Sequence, residues 1–323
     1  MSLCHNDPLP MRVERAPVAN YSTLADLDLA EMERSYGFHI RSSLPVAGGM
    51  ANSSFQADTS AGMLVISILD NHNEMLARRL AHTTEFMHEQ GVPTSEIVPR
   101  LDGDRIHITR GKYVLVKRWL NGETTRVVSR RTLPAAGRLL ATIHAVVPTG
   151  LDVPVGSRRL SAVHREMLED FPNQQHAAWV RDRLCRIDEY FPPLGDQRRS
   201  QWTTVHGDLN GPNIVLSPDG SLFAIDWETA TVDDPTLDMG MSALDMCVTD
   251  GALDRSRLEL FAHGYQQVGR TIDEELLIRA VEYASVIVAF HRYRRHNIRF
   301  PNPEKRDYYQ VMVNFAEREF TFR

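Results

Sequence analysis

At 323 residues and 42% hydrophobic composition, the chain can bury a sizeable core in two lobes or domains. A charged fraction of 24% and a formal net charge of -6 speak against a chain-wide attraction for nucleic acid. Cys4, Cys185 and Cys247 form no CxxC pair, which disfavours a disulfide framework or a cysteine zinc site and points to a reducing compartment.

In chain order, residues 1–20 carry Pro8, Pro10 and Pro17 among polar residues and predict a loose arm. The N-terminus has no apolar signal core, and the most apolar later stretch, 284–290, falls far short of the ~20 residues a membrane span needs. A cytoplasmic protein with no membrane partner is expected. Residues 26–36 read as a short helix. From Leu44 the pattern turns to strand, passes Gly48-Gly49, and resumes at Ser54. The branched apolar run 63–69 predicts a buried strand. Leu76, Leu80, Thr83 and Met87 recur at helical spacing until Gly91-Val92-Pro93 stops them. Two more strands, 105–109 and 113–120, meet at Gly111.

After Asn121 the pattern is mainly helical. Helices are predicted at 133–144, 159–169, 175–190, 254–268, 273–295 and 305–320, with a strand–loop–strand unit at 202–226. A sheet-rich third followed by a helix-rich two-thirds is an α+β layout. It places one lobe at 1–120, another at 121–323, and a ligand crevice between them.

Chemistry concentrates in His206-Gly207-Asp208-Leu209-Asn210-Gly211-Pro212-Asn213 and the continuation to Ile225-Asp226-Trp227-Glu228. A hairpin turning at Ser217-Pro218-Asp219-Gly220 would bring Asp226 back beside Asn213, so that Asp208, Asn213 and Asp226 converge. Phosphoryl transfer uses that set. Mg2+ prefers oxygen ligands and keeps nucleotide phosphates as co-ligands, which Asp226 and Asn213 suit. Asp208 can accept or orient the proton of an attacking hydroxyl. The Asp-x-x-x-x-Asn spacing matches the kinase catalytic loop, with Gly207 where that loop carries arginine. The segment Gly48-Gly49-Met50-Ala51-Asn52-Ser53 lies between two strands, where a phosphate-covering loop belongs; glycines and successive N–H groups allow close approach to phosphate.

The His-Gly-Asp-x-x-x-x-Asn and Ile-Asp-Trp-Glu segments, with Asp233-Asp234-Pro235-Thr236-Leu237-Asp238, resemble the aminoglycoside phosphotransferase and choline kinase superfamily. Within it, the run from Val65 to Asp70, Gly91-Val92-Pro93, the run from Gly137 to His144, and Phe261-Ala262-His263-Gly264-Tyr265 look like the type II homoserine kinase branch. The resemblance implies a protein-kinase-like two-lobed fold with ATP and Mg2+ bound between a small β-rich N-lobe and a larger helical C-lobe. It implies Asp208 as base, Asn213 and Asp226 as metal ligands, and Asp238 and His206 as supports of the catalytic loop. It also implies that the strand edge around Lys117 and Trp119 bonds adenine through its backbone.

The sequence departs from many kinases on the third strand, where Ser67 stands in place of a phosphate-pairing lysine and neither Glu74 nor Glu85 suits its partner. Phosphates would then be held by the loop backbone, the metal and an arginine. The alternative is a nucleotide-binding pseudokinase, although retention of Asp208, Asn213 and Asp226 together favours activity. A protein kinase is disfavoured because the loop arginine, D-F-G and A-P-E are absent. The basic, aromatic run from Phe290 to His296 reads either as the cationic last turn of a helix or as capture of a substrate carboxylate. Asp245 and Glu228 are candidates for recognising an amine. The expected partner is a small-molecule alcohol such as homoserine, an aminoglycoside or choline, with no nucleic acid, on a monomer or homodimer.

Overall fold

A five-stranded antiparallel sheet fills the N-terminal region of the structure, a computed structural model that describes residues 22–46, 52–192 and 202–320. Helix α1 (Leu29–Tyr36) precedes strands β1 (Ile40–Pro45), β2 (Ser53–Thr59) and β3 (Gly62–Ile68). Helix α2 (Glu74–Glu89) follows, then β4 (Ile106–Thr109) and β5 (Lys112–Arg118). The strand order is β1-β2-β3-β5-β4. Because side chains alternate across a strand, Leu64, Ile66, Ile68, Val114 and Val116 bury one face against Met32 and Tyr36 of α1. The other face carries Val65, Ser67, Leu115 and Lys117. Asn73 caps α2 by accepting from the Leu76 N–H at 2.9 Å. Arg110 and Gly111, both with positive φ (48° and 74°), make the two-residue turn from β4 to β5.

The remainder is largely helical. Strand β6 (Glu123–Thr124) leads to α3 (Leu133–His144), α4 (Ala162–Glu166) and α5 (Gln174–Tyr190). Then come β7 (Thr203–Val205), β8 (Ile214–Leu216), β9 (Leu222–Ala224) and β10 (Thr231–Asp233). Helices α6 (Pro235–Met246), α7 (Arg255–Gln266), α8 (Glu274–Tyr293) and α9 (Gln310–Phe320) complete the described chain. The α+β layout read from the sequence is present. Gly137 and Gly264 have a packing reason: a Cβ on the first would sit 2.1 Å from the Phe261 carbonyl, and on the second 2.0 Å from the Pro134 carbonyl. Helices α3 and α7 therefore touch backbone to backbone. Among the described residues no helix is long and apolar enough to cross a membrane.

Helix α6 and strand β10 were not anticipated. Strand β10 pairs antiparallel with β7 (Thr231 with Val205), so the chain leaving the hairpin runs back along the strand that delivers His206. Residues 116–118 do not form a sheet edge. Lys117 pairs with Val65 on one side and Ile97 on the other, and the Arg118 N–H donates to the Glu96 carbonyl at 2.8 Å.

Candidate active site

The β8–β9 hairpin gathers the oxygen-bearing side chains. Ile214 pairs with Ala224, and one step beyond, the Ile225 N–H donates to the Asn213 carbonyl at 3.0 Å. Asn213 and Asp226 therefore leave the same mouth of the hairpin. Asp226 adopts a left-handed conformation (φ 68°), which turns the chain sharply into the short helical turn Trp227–Thr229. The Asn213 side-chain NH2 donates to the Asp208 carbonyl at 2.9 Å, tying the third residue to the pair and leaving the amide oxygen as acceptor. Asn210 and Asp245 fix the loop between them: Asn210 accepts from the Asn213 N–H at 3.2 Å, and Asp245 from the Gly211 N–H at 3.0 Å. Asp245, offered above as an amine recogniser, thus braces the loop.

Asp238 holds the base of the catalytic loop. Its carboxylate accepts from the backbone N–H groups of His206 (2.9 Å) and Gly207 (2.8 Å), and pairs with His144 Nε2 at 3.0 Å. Burial works to raise the Asp238 pKa, but the His144 hydrogen bond, nearby histidine charge and the His206 N–H outweigh it and hold the carboxyl below its ordinary value. His206 is buried, packs at a tilt against Trp227 with ring centroids 4.7 Å apart, and meets the Ile225 carbonyl through Nε2 at 3.0 Å. Gly207 needs to be glycine twice over. Its φ is +79°, and a Cβ would lie 2.5 Å from the Thr229 carbonyl and 3.3 Å from Cγ of Arg158.

Asp208 emerges from this frame with its side chain 42% exposed. Its pKa is raised by burial in its surroundings and by Asp226 and Asp245, against the pull of Arg158 and His206. Arg158 Nη2 lies 3.9 Å from Asp208 Oδ1. An arginine thus reaches the loop aspartate from the segment before α4, over the space that Gly207 leaves open.

The sheet contributes a second cluster. Burial lowers the pKa of Lys117 on β5, and the charges of Asp226 and Glu228 oppose that shift. Glu228 accepts from the Asn52 side chain at 2.5 Å and lies 3.6 Å from His72 Nε2. Burial and the neighbouring Asp226 push the Glu228 pKa up to about 7. Glu74 and Glu85 are engaged elsewhere, the first with Arg78 at 2.9 Å and the second with Arg105. Neither glutamate of α2 is therefore paired with a lysine.

Other expected nucleotide contacts have internal partners. The Ser53 N–H and hydroxyl both donate to Asp70, at 3.1 and 2.6 Å. Buried Ser67 Oγ lies 3.0 Å from Ser54 Oγ. The Trp119 N–H donates to the Met63 carbonyl at 3.1 Å. The Ser53 and Trp119 N–H groups and the Ser53 hydroxyl are thus directed at protein oxygens. Gly48, Gly49 and Ala51 lie outside the described residues.

Residues 43–276 match the phosphotransferase enzyme family (APH). The chain belongs to this family. It is 22% identical over 262 residues to a homoserine kinase of Polaromonas naphthalenivorans, covering 74% of this chain and 77% of that protein. Among solved structures, spectinomycin phosphotransferase APH(9)-Ia, in complex with ADP and spectinomycin, superposes with a TM-score of 0.63 at 14% identity, over 89% of this chain and 96% of the other. A choline/ethanolamine kinase family protein from Mesorhizobium loti gives 0.64 at 17% identity, over 92% and 94%. The fold is kinase-like, and the chain is an ATP-dependent small-molecule phosphotransferase. Nothing in these likenesses favours a pseudokinase.

The donor set of this phosphotransferase fits a hard divalent cation. Among the described residues no group of three or more His, Cys, Asp or Glu is placed to hold a metal ion. One carboxylate and one amide oxygen, Asp226 and Asn213, leave most positions to phosphate and water, as Mg2+ prefers. The sequence reading did not single out Arg158, His72 or His144 as site residues. His144 sits at the end of a helix pattern that spacing alone explains, and Arg158 reaches Asp208 only through the non-local pairing of its segment with β10.

Proposed function

We propose that this phosphotransferase moves the γ-phosphoryl group of ATP, bound with Mg2+, to a hydroxyl of a small molecule of the homoserine or amino-alcohol kind. The reading is carried by one observation: Asp208, Asn213 and Asp226 share the mouth of a single hairpin. Nucleotide would lie between the sheet of residues 1–120 and the helical region 121–323. Asp208 would accept or orient the proton of the attacking hydroxyl, and its raised pKa suits a base better than that of an unperturbed carboxylate. Asn213 and Asp226 would hold Mg2+, which when bound neutralises phosphate charge. Asp238 and His206 would keep the loop rigid, so that no reorganisation is needed as charge develops.

Lys117 would supply the phosphate contact that the third strand lacks, with Glu228 and Asn52 positioning it. ADP release measured across a panel of hydroxyl compounds tests the activity, and Lys117→Met tests this role. A lost charge-assisted hydrogen bond predicts a rise of about tenfold or more in KM for ATP, with thermal stability nearly unchanged. An unaltered KM would remove Lys117 from the nucleotide site.

A further inference from the structure

Arg158 and Asp208 face each other without touching. Nη2 of Arg158 lies 3.9 Å from Asp208 Oδ1, beyond hydrogen-bond length. Its buried Nε has no hydrogen-bond partner. The separation is built into the backbone on both sides of the arginine. Val155 bridges to Val232 of β10, the Gly156 N–H donates to the Val232 carbonyl at 2.9 Å, and the Ser157 N–H donates to Thr231 Oγ1 at 3.2 Å. Beyond it, Arg159 donates to Asp233 at 2.7 Å and the Leu160 N–H to the Tyr283 hydroxyl at 3.0 Å. The Arg158 stem passes over Gly207, where an added Cβ would lie 3.3 Å from its Cγ. Asp208 is fixed as well. The preceding Gly207 N–H donates to Asp238 at 2.8 Å, and the Asp208 carbonyl accepts from the Asn213 side chain at 2.9 Å.

A gap of this width has a chemical meaning. One oxygen atom beside it can stand at about 2.7–3.0 Å from both Nη2 and Oδ1. Such an oxygen has to accept from the arginine and donate to the carboxylate. An ionised phosphate oxygen has no hydrogen for Asp208 and is repelled by it. An ammonium group has no lone pair for Arg158 and is repelled by that residue in turn. A hydroxyl carries one O–H and two lone pairs, so of the groups that phosphoryl transfer brings together the acceptor hydroxyl alone meets both demands. With its hydrogen on Asp208 and one lone pair on Arg158, the second lone pair is left for phosphorus.

Resting on the phosphotransferase reading above, we infer that Arg158 is a second catalytic residue, donating a hydrogen bond to the same attacking oxygen whose proton Asp208 accepts. The free lone pair forms the new O–P bond. The bond from the γ-phosphorus to the bridging oxygen breaks, its electron pair leaves on ADP, and the hydroxyl proton passes to Asp208. Arg158 stays protonated throughout and competes for no proton. As Asp208 draws the proton away, negative charge builds on the attacking oxygen and the Arg158 hydrogen bond strengthens. It therefore lowers the barrier more than it tightens binding.

The test uses the full-length protein with Mg2+ and ATP. ADP release with L-homoserine, choline and spectinomycin identifies an accepted probe, which is then used throughout. Arg158→Ala should lower kcat by about 10²-fold, with a much smaller rise in KM for the probe and unchanged affinity for ADP and for a non-hydrolysable ATP analogue. Guanidinium ion at millimolar concentration should restore kcat saturably in Arg158→Ala, by about tenfold or more, and not in Asp208→Asn. If the alanine variant does not fold, Arg158→Gln, which keeps part of the stem without the charge, gives the same comparison of kcat with KM. Unchanged kcat would overturn the inference. So would a loss confined to KM for the probe, a loss of affinity for the ATP analogue relative to ADP, or absence of rescue, which assign Arg158 to acceptor binding, to the phosphates or to architecture. Each of these leaves the kinase reading intact, because the parent protein turns over. No ADP release by the parent with any hydroxyl probe removes that reading and this inference with it.

Discussion

Replacing Asp208 by asparagine is expected to lower kcat by about 10²–10⁴-fold while leaving nucleotide affinity and the unfolding midpoint close to those of the parent protein. The size of the effect follows from what the carboxylate does and from what it does not do. Its neighbours within the loop are held by other atoms: Asn213 by the Asp208 main-chain carbonyl, Gly211 by Asp245, and the loop base by Asp238. The Asp208 side chain, partly exposed and meeting Arg158 only at 3.9 Å, therefore carries little of the architecture. The substitution preserves shape and removes the proton acceptor alone. Steady-state kinetics with ATP and a hydroxyl acceptor, alongside a nucleotide titration, separates the two quantities. Near-normal turnover would show that the hydroxyl needs no base at this position.

Asp238→Ala is expected to act in the opposite way, through stability. The buried carboxylate accepts from two backbone N–H groups and pairs with His144, itself bonded to the Tyr265 hydroxyl at 2.8 Å. Truncation leaves those groups without an acceptor where water does not reach. The expected loss is roughly 3–5 kcal/mol, read as a lower urea midpoint, together with loss of activity because the loop carrying Asp208 is released. The pH dependence has a definite sign. Since the folded state lowers the Asp238 pKa, its contribution is complete above the ordinary value of 3.8 and is lost as pH falls through the folded value. The stability gap between the parent and Asp238→Asn should be widest near neutrality and narrow in acid.

These two aspartates show how differently sequence speaks about chemistry and about support. The Asp208–Asn213–Asp226 set was legible because a short hairpin with a proline–glycine turn fixes where its two ends meet, and local geometry is what sequence spacing encodes. Helix α3 was legible for a similar reason: apolar residues at helical spacing run from Leu133 to His144, the bounds the structure shows. Helix α6 was obscured because it is buried nearly all round, so no amphipathic period marks it. The strand around Lys117 reads as an edge in the sequence and is flanked on both sides in the structure. Which strands flank β5, and which way its side chain faces, depend on pairing with Val65 and Ile97, and spacing along one strand carries no such information. Arg158 is separated from the catalytic loop by a long stretch of chain and meets Asp208 through the pairing of its segment with β10. No local pattern announces its proximity to Asp208.

The central claim is that Asn213 and Asp226 together form a divalent-cation site that exists for the nucleotide. Electron paramagnetic resonance of Mn2+, titrated with and without a non-hydrolysable ATP analogue, reads that site directly. The account predicts one nucleotide-dependent Mn2+ per chain in the parent protein, lost in Asp226→Asn and weakened in Asn213→Ala, with both variants still folded. Undiminished nucleotide-dependent Mn2+ binding by Asp226→Asn would contradict it.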